Sequence, residues 1–400
     1  MYKPAIKFAV ATAIVSALGT IQSIAATTPR LPEVIGLVPI NGHVFSIALS
    51  NKRNEVYAVN SDNQKLYIID GKANTLKGSP FDLGTTVNGL TYNNKTDQII
   101  VASISDGTLS IIDRKTMQFV GAPIALGLHA AKVVIDEASN TAYVSVMHGG
   151  YVAVVDLNKH TVKKKIIIGT GAPTPAGCNP WDAKKPCTTQ GSTPLSMAIN
   201  QKTHRVYVAA YLENAVSVIN TQTNSIQGAR ISVGSQPNGF GINETTNRLY
   251  VNNWQDGTVS VIDGKTNKAI GKPIVVGSGV QKPAHCYEAG KMTACKSWGS
   301  MPLGPIGVNE ATNQFYVASS NDGTIITLDG KTNKVAGADV PVTTGFLVPA
   351  GCANFGACTK GSSAQNVIYN KATDKLYTVS LADGWVMVLK SQGSKPTHAH

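Results

Sequence analysis

Charge is scarce in this 400-residue chain: 14% of residues are Asp, Glu, Lys or Arg, and aromatic residues make up 6%. With 42% hydrophobic residues beside so little charge, a disordered chain is excluded and a large packed core is implied. Apolar runs long enough to span a bilayer are missing. The 3.6-residue apolar spacing of amphipathic helices is missing too, and the short apolar runs alternate with period two. The common catalytic signatures are also lacking. There is no Gly-x-Ser-x-Gly elbow, no Ser-x-x-Lys and no His-Glu-x-x-His. Gly264-Lys265-Thr266 and Gly330-Lys331-Thr332 mimic the end of a phosphate loop, but Val259 and Ile325 stand where the first glycine is required. Both are turns, not phosphate cradles.

What is present begins with an export signal. Lys3 and Lys7 precede an apolar stretch over 8–18 that is too short for a transmembrane helix, and Ser23-Ile24-Ala25 supplies small residues for a signal peptidase. Residues 1–25 are read as a signal peptide cleaved after Ala25, with Ala26 the alternative site and an uncleaved anchor the rival reading. The mature protein is expected to be soluble, and periplasmic or secreted. The six cysteines fit that compartment. They fall into three short-range pairs, Cys178/Cys187, Cys286/Cys295 and Cys352/Cys358, in Gly- and Pro-rich segments. Zinc ligation is the rival, but no pair has the two-residue spacing of a zinc knuckle, and oxidising surroundings with short loops favour disulfides.

The dominant signal is internal repetition. NRLYVNNWQDGTVSVID over 247–263, followed by GKTNKAIGKPIVVG, recurs as NEVYAVNSDNQKLYIID from Asn54 and DQIIVASISDGTLSIID from Asp97. Further copies read NTAYVSVMHGGYVAVVD from Asn140, HRVYVAAYLENAVSVIN from His204, NQFYVASSNDGTIITLD from Asn313 and DKLYTVSLADGWVMVLK from Asp374. Seven copies result, anchored on Tyr57, Ile100, Tyr143, Tyr207, Tyr250, Tyr316 and Tyr377, with successive gaps of 43, 43, 64, 43, 66 and 61 residues. The three long gaps hold the three cysteine pairs, so insertions at 170–193, 278–301 and 346–363 decorate a constant unit. Each unit carries four short apolar runs; in the fifth these are 240–242, 249–251, 258–262 and 270–276. Asp256-Gly257 is a preferred two-residue hairpin turn, and Asp and Asn in the GKTNK segment can bond their own backbone. Four antiparallel strands in about 43 residues make a propeller blade. The expected fold is all-β, a seven-bladed β-propeller spanning 26–393 with a polar tail at 394–400. The last copy lacks its fourth strand, and residues 33–40 match that missing piece, so the N-terminal strand is expected to complete the last blade.

These units, with YV in the second strand, DGTVSVID, GKTNK and a closing IG-x-PI-x-VG, resemble the YVTN-type β-propeller repeat. That family includes periplasmic propellers and archaeal surface-layer proteins, with lactonase and lyase propellers as distant relatives. The resemblance covers nearly all of the mature chain and implies the fold; fold alone does not imply function. DNA binding in an enterobacterial periplasmic branch is a further implication of the resemblance.

In such a blade the turn between second and third strands shares a face with the blade-to-blade connection. The three insertions are such connections, and therefore join the turns carrying His148, Tyr211, Glu213, Trp254 and Asp256 on one face. Either they wall a binding mouth, the favoured reading for loops on a rigid scaffold, or they only cap the ring. Channel-facing candidates are Ser46, Asn88, Lys132, Ser196, Asn238 and Gln365. Lys132 is the only charged one among them; it either draws in an anion or simply reaches into solvent. The net charge is +12, reduced by two with the signal peptide. The insertion lysines Lys184, Lys185, Lys282, Lys291, Lys296 and Lys360 are expected near the stacking faces of Trp181, Tyr211, Trp254, Tyr287, Trp298 and Phe355. Lysine with aromatic faces suits a polyanion, including single-stranded nucleic acid, although basic balance often serves solubility alone. The expected partner is an anionic small molecule or polymer bound by Lys132, Asn88, Asn238, Gln365, Tyr211, Trp254 and His148. A monomer with no cofactor and no resident metal is expected. The alternative is a metal-assisted hydrolase or lyase with its site at the channel mouth, built from His129, His148 and His285 with Glu213 or Glu288.

Overall fold

A computed structural model describes residues 31–171, 192–279, 300–343, 363–381 and 383–391. In it each repeat folds into its own antiparallel sheet, and seven such blades form the propeller. The inner strands are Val44–Ser50, Val87–Asn93, Ala130–Asp136, Pro194–Asn200, Pro237–Asn243, Gly307–Asn309 and Ala364–Asn370 for blades 1 to 7. They adjoin one another around the axis. In blade 5 the second strand is Arg248–Asn253 and the third Thr258–Asp263. The fourth run is not one strand. It divides into Lys268–Ala269 and Ile274–Val275, both paired with Thr258–Asp263. Gly271 between them takes φ +63, and Pro273 has no N–H to give the ladder. Blade 3 lacks the Gly and Pro, and its outer strand Thr161–Ile167 is continuous.

Closure is as the repeat arithmetic requires. Glu33–Pro39 pairs antiparallel with Trp385–Lys390, placing Val38 opposite Val386 and Pro39 opposite Trp385. Pro39 is tolerated because this strand lies at the outer edge of its sheet, where a missing donor costs no ladder bond. Val38 and Ile40 pack with Val386, Val388, Ile47 and Val56, so the first and last blades share one core.

The hydrophobic core lies between blades rather than within them. Second strands such as Glu55–Asn60 are buried on both faces, because each is sandwiched by its neighbours. Alternate residues serve opposite sides: Tyr57 and Val59 pack with blade 2, while Val56 and Ala58 pack with blade 7. Seven inter-blade clusters result. Three of the six anchor tyrosines also rivet one blade to the next. Tyr250 donates to Asn333 Oδ1 at 2.5 Å, Tyr377 to the Gly71 carbonyl at 3.1 Å and Tyr143 to the Thr221 carbonyl at 3.3 Å. Each acceptor sits in the third-to-outer turn of the following blade, where Asn74, Asn224, Asn267 and Asn333 take positive φ that Asn tolerates well. Blade 2 has Ile100 instead of Tyr, and the facing turn in blade 3 answers with Leu157; both enter the same apolar cluster.

Blades 1 and 2 are joined differently. Glu55, 1% exposed, accepts from Tyr57 Oη, Lys77 Nζ and both Nε and Nη2 of Arg114 at 2.8–2.9 Å. Burial alone would raise its carboxyl pKa, but these hydrogen bonds outweigh it and hold the group below its ordinary value.

Candidate functional site

The upper face of the ring carries the second-to-third turns and the blade-to-blade connections. The roots of all three insertions lie there. The Tyr211 N–H bonds the Thr193 carbonyl, the Asn321 N–H bonds Ser300, and the Leu381 N–H bonds Ser363. The remainder of each insertion, 172–191, 280–299 and 344–362, is outside the described residues, as are residues 1–30 and 392–400. The expected signal peptide, the six cysteines, Trp181, Tyr287, Trp298, Phe355, His285, Glu288 and the insertion lysines therefore fall outside them.

The turn acids of this face are structural. The Asp62 carboxylate accepts the His43 N–H at 2.9 Å, Glu213 that of Thr170 at 2.8 Å, and Asp322 that of Ser278 at 2.9 Å. Asp256 accepts from the Ser235 N–H in the same way. Each acid thus clamps an incoming connection to the turn beside it. Glu213 is further paired with Arg230. It is therefore committed to holding the root of the first insertion, where the enzyme alternative would have it face a metal or substrate.

The channel-wall candidates occupy a feature that period-two patterning does not reveal. The inner strands of blades 1 to 5 and 7 shift register near their starts, as at Val44/Ser46, Val87/Gly89 and Ala130/Val133. Such bulges free a carbonyl from the ladder and re-aim side chains. A donor from the preceding blade meets several of these carbonyls: Ser46 Oγ to Asn88 O at 2.9 Å, Ser145 Oγ to Leu195 O at 2.8 Å, and Asn366 Nδ2 to Phe45 O at 2.9 Å. In blade 6, whose inner strand has no register shift, Asn252 Nδ2 instead meets the Gly304 carbonyl just ahead of the strand, at 2.9 Å. Apart from Ser46, the sequence does not single these donors out, because only knowledge of the bulge would do so.

Lys132 reaches backwards across this ring. Its Nζ donates to both the carbonyl and the Oδ1 of Asn88, each at 2.8 Å. Both acceptors are neutral, and burial pushes the Lys132 ammonium down to about 8. The structure thus brings Lys132, Asn88 and Ser46 together. Gln365 is buried and donates to Ser363 Oγ at 3.1 Å, at the root of the third insertion. Asn238 is half-buried in blade 5, and Ser196 is buried in blade 4. Tyr211, expected to offer a stacking face, is only 2% exposed and donates to Gln236 Oε1 at 3.0 Å; it braces blade 4 against blade 5. Trp254 is half-buried, and its backbone N–H bonds the Gln236 carbonyl.

His148 meets His129, whose Nδ1 lies 2.6 Å from its own, with the rings edge to face. Desolvation, and then the neighbouring His129, favour its neutral form and lower its pKa. Among the described residues no group of three or more His, Cys, Asp and Glu side chains is placed to hold a metal, and no helix is long and apolar enough to cross a membrane. No protein-family model matches the chain, and no curated protein matches it. The seven-bladed architecture therefore stands on the repeat and the blades themselves.

Proposed function

We propose that the protein is an exported, non-catalytic binding propeller that takes an anionic ligand at the upper mouth of its channel, with Lys132 as the charged contact. The observation that carries this reading is the environment of Lys132. It is a cation in the bulged inner ring, paired with two neutral oxygens of Asn88 and, among the described residues, with no carboxylate as its bonding partner. An anion arriving there gains a charge-assisted hydrogen bond without first displacing a competing acid. Ser46 and Asn88 supply neutral polar groups beside it. The overall positive charge alone does not locate a site, since exposed lysines such as Lys72, Lys115, Lys265 and Lys331 lie on the opposite face in the third-to-outer turns. An anionic polymer, single-stranded nucleic acid in particular, is the extended form of the ligand, for which the half-buried Trp254 offers an aromatic surface. The setting is periplasmic or secreted, and the propeller acts as a monomer.

The test is binding of a labelled single-stranded oligonucleotide and of short anionic polymers across a salt series. The reading expects Lys132→Met to weaken binding and to make the slope of log affinity against log salt shallower by about one. Loss of affinity in Lys265→Ser or Lys331→Ser with Lys132→Met unaffected would transfer the site to the opposite face and overturn it.

A further inference from the structure

The histidine pair of blade 3 has a counterpart in blade 1 that reveals what is unusual about it. In blade 1, His43 immediately precedes the inner strand, and Asp62 lies in the second-to-third turn above it; His43 Nδ1 is 2.8 Å from Asp62 Oδ1. In blade 3, His129 holds the equivalent place before Ala130–Asp136, and the turn supplies His148 instead of an acid. An imidazole that faces a carboxylate in one blade faces a second imidazole in the other.

We propose that His129 and His148 form a binding site for a borderline divalent transition-metal ion, of the Cu2+, Ni2+ or Zn2+ class, with two protein ligands and the remaining coordination positions open to solvent or to an external donor.

Neutral imidazole suits this class of metal. Two nitrogens bound to one ion at about 2.0–2.1 Å stand about 3 Å apart, so a metal ion would replace the observed 2.6 Å hydrogen bond by a slightly wider separation, with the rings turned until both Nδ1 lone pairs converge on it. The two side chains come from elements able to make that adjustment. His148 is followed by Gly149 and Gly150 in the turn, and the Met147 N–H bonds the His129 carbonyl, which fixes the two backbones relative to each other. His129 itself takes φ +61, a conformation uncommon for a non-glycine residue, shortly after Gly127 at φ +129. That backbone aims its ring at the turn. Both rings are half-buried, so one side of the pair is open to water. Blade 1 could not serve in the same way, because Asp62 also accepts the His43 backbone N–H and is thereby committed. The inference stands independently of the anionic ligand.

The test uses the full mature chain, titrated with Ni2+ and separately with Zn2+ by calorimetry. The C-terminal His398 and His400 could bind the same ions, so every variant is compared with the tail substitutions. The wild type and the His398→Asn/His400→Asn variant are each expected to retain one ion that His148→Asn and His129→Asn lose, with affinity down about tenfold or more. The fold of each variant is checked by its thermal transition. Independently, Cu2+ bound to the tail variant should give an electron-paramagnetic spectrum with hyperfine coupling to two imidazole nitrogens, and His148→Asn should reduce it to one. Unchanged stoichiometry in His148→Asn, or loss of the ion with the tail alone, would overturn the proposal and leave the pair as a hydrogen bond between neutral rings.

Discussion

The protonation of Lys132 gives the anionic-ligand reading a quantitative edge. With its pKa lowered from 10.5 to about 8 by burial, the amine is about 90% charged at pH 7 and about 10% charged at pH 9. An anion that requires the ammonium therefore binds about tenfold more weakly at pH 9 than at pH 7, at constant ionic strength. A surface lysine with an ordinary pKa loses only about 3% of its charge over the same interval, so lysines of the opposite face cannot imitate the effect. Fluorescence anisotropy with a labelled oligonucleotide at pH 7, 8 and 9 reads it directly. Lys132→Met should bind more weakly and lose the pH dependence. Stability supplies a second readout. The unfolded chain keeps this proton up to about pH 10.5 and the folded chain releases it near 8, so stability rises with pH between those values. The charged form below pH 8 is disfavoured by no more than about 3.4 kcal/mol, and Lys132→Met should be at least as stable as wild type at pH 7. Affinity that is flat from pH 7 to 9 in the wild type, while still falling with salt, would refute the assignment of Lys132.

Three further outcomes test the architecture. Glu55→Gln leaves Arg114 and Lys77 without their buried carboxylate and should cost about 3–5 kcal/mol in urea denaturation at pH 7. Because the Glu55 pKa lies below its ordinary value of 4.5, its contribution is present above that pH and fades as pH falls through the folded pKa; the variant should lack this acid-side loss. Tyr250→Phe removes the donor to Asn333 and keeps the ring, for a loss of about 1 kcal/mol by the same denaturation. Cysteine pairing within each insertion predicts no alkylation of the native protein, alkylation of all six cysteines after reduction, and cross-linked peptides joining Cys178 to Cys187, Cys286 to Cys295 and Cys352 to Cys358. Peptides joining different insertions would sink the pairing.

Much of the fold could be read from the sequence because one module is written seven times, and its constants are physical necessities. Six of the seven anchor positions are tyrosines buried between blades, and Tyr143, Tyr250 and Tyr377 use the hydroxyl to reach the turn of the next blade. Asp-Gly and Asn recur where turns need positive φ. The missing last strand pointed to residues 33–40 because a ring leaves no other partner for that edge. The site was less legible. Bulges at Val44/Ser46 and Ala130/Val133 arise from how inner strands crowd around an axis, and no alternation of polar and apolar residues marks them. Tyr211 reads like an exposed turn aromatic, yet the short 3-10 turn Tyr211–Glu213 folds it inward to meet Gln236. Glu213 reads like a free acid, yet its role emerges only once Thr170 is brought against it.

The repeat supplies its own internal comparison, and it singles out one blade. Six of the seven second-to-third turns contain an acid: Asp62, Asp106, Glu213, Asp256, Asp322 and Asp383. Four of these hold the N–H of an incoming connection. Blade 3 alone has His148-Gly149-Gly150 there, and so lacks the turn acid that the other six copies carry. The same blade puts Lys132 in the bulge where blades 1 and 2 have Ser46 and Gly89, at the cost of partly desolvating an ammonium. Its outer strand is the one continuous outer strand among blades 1 to 6, and Lys165 near its end lies over the Tyr151 ring. None of these departures is required to build a blade, since the other copies do without them, and at least Lys132 works against stability. Both proposals place their ligands at these departures, the anion at Lys132 and the metal ion at the His129–His148 pair.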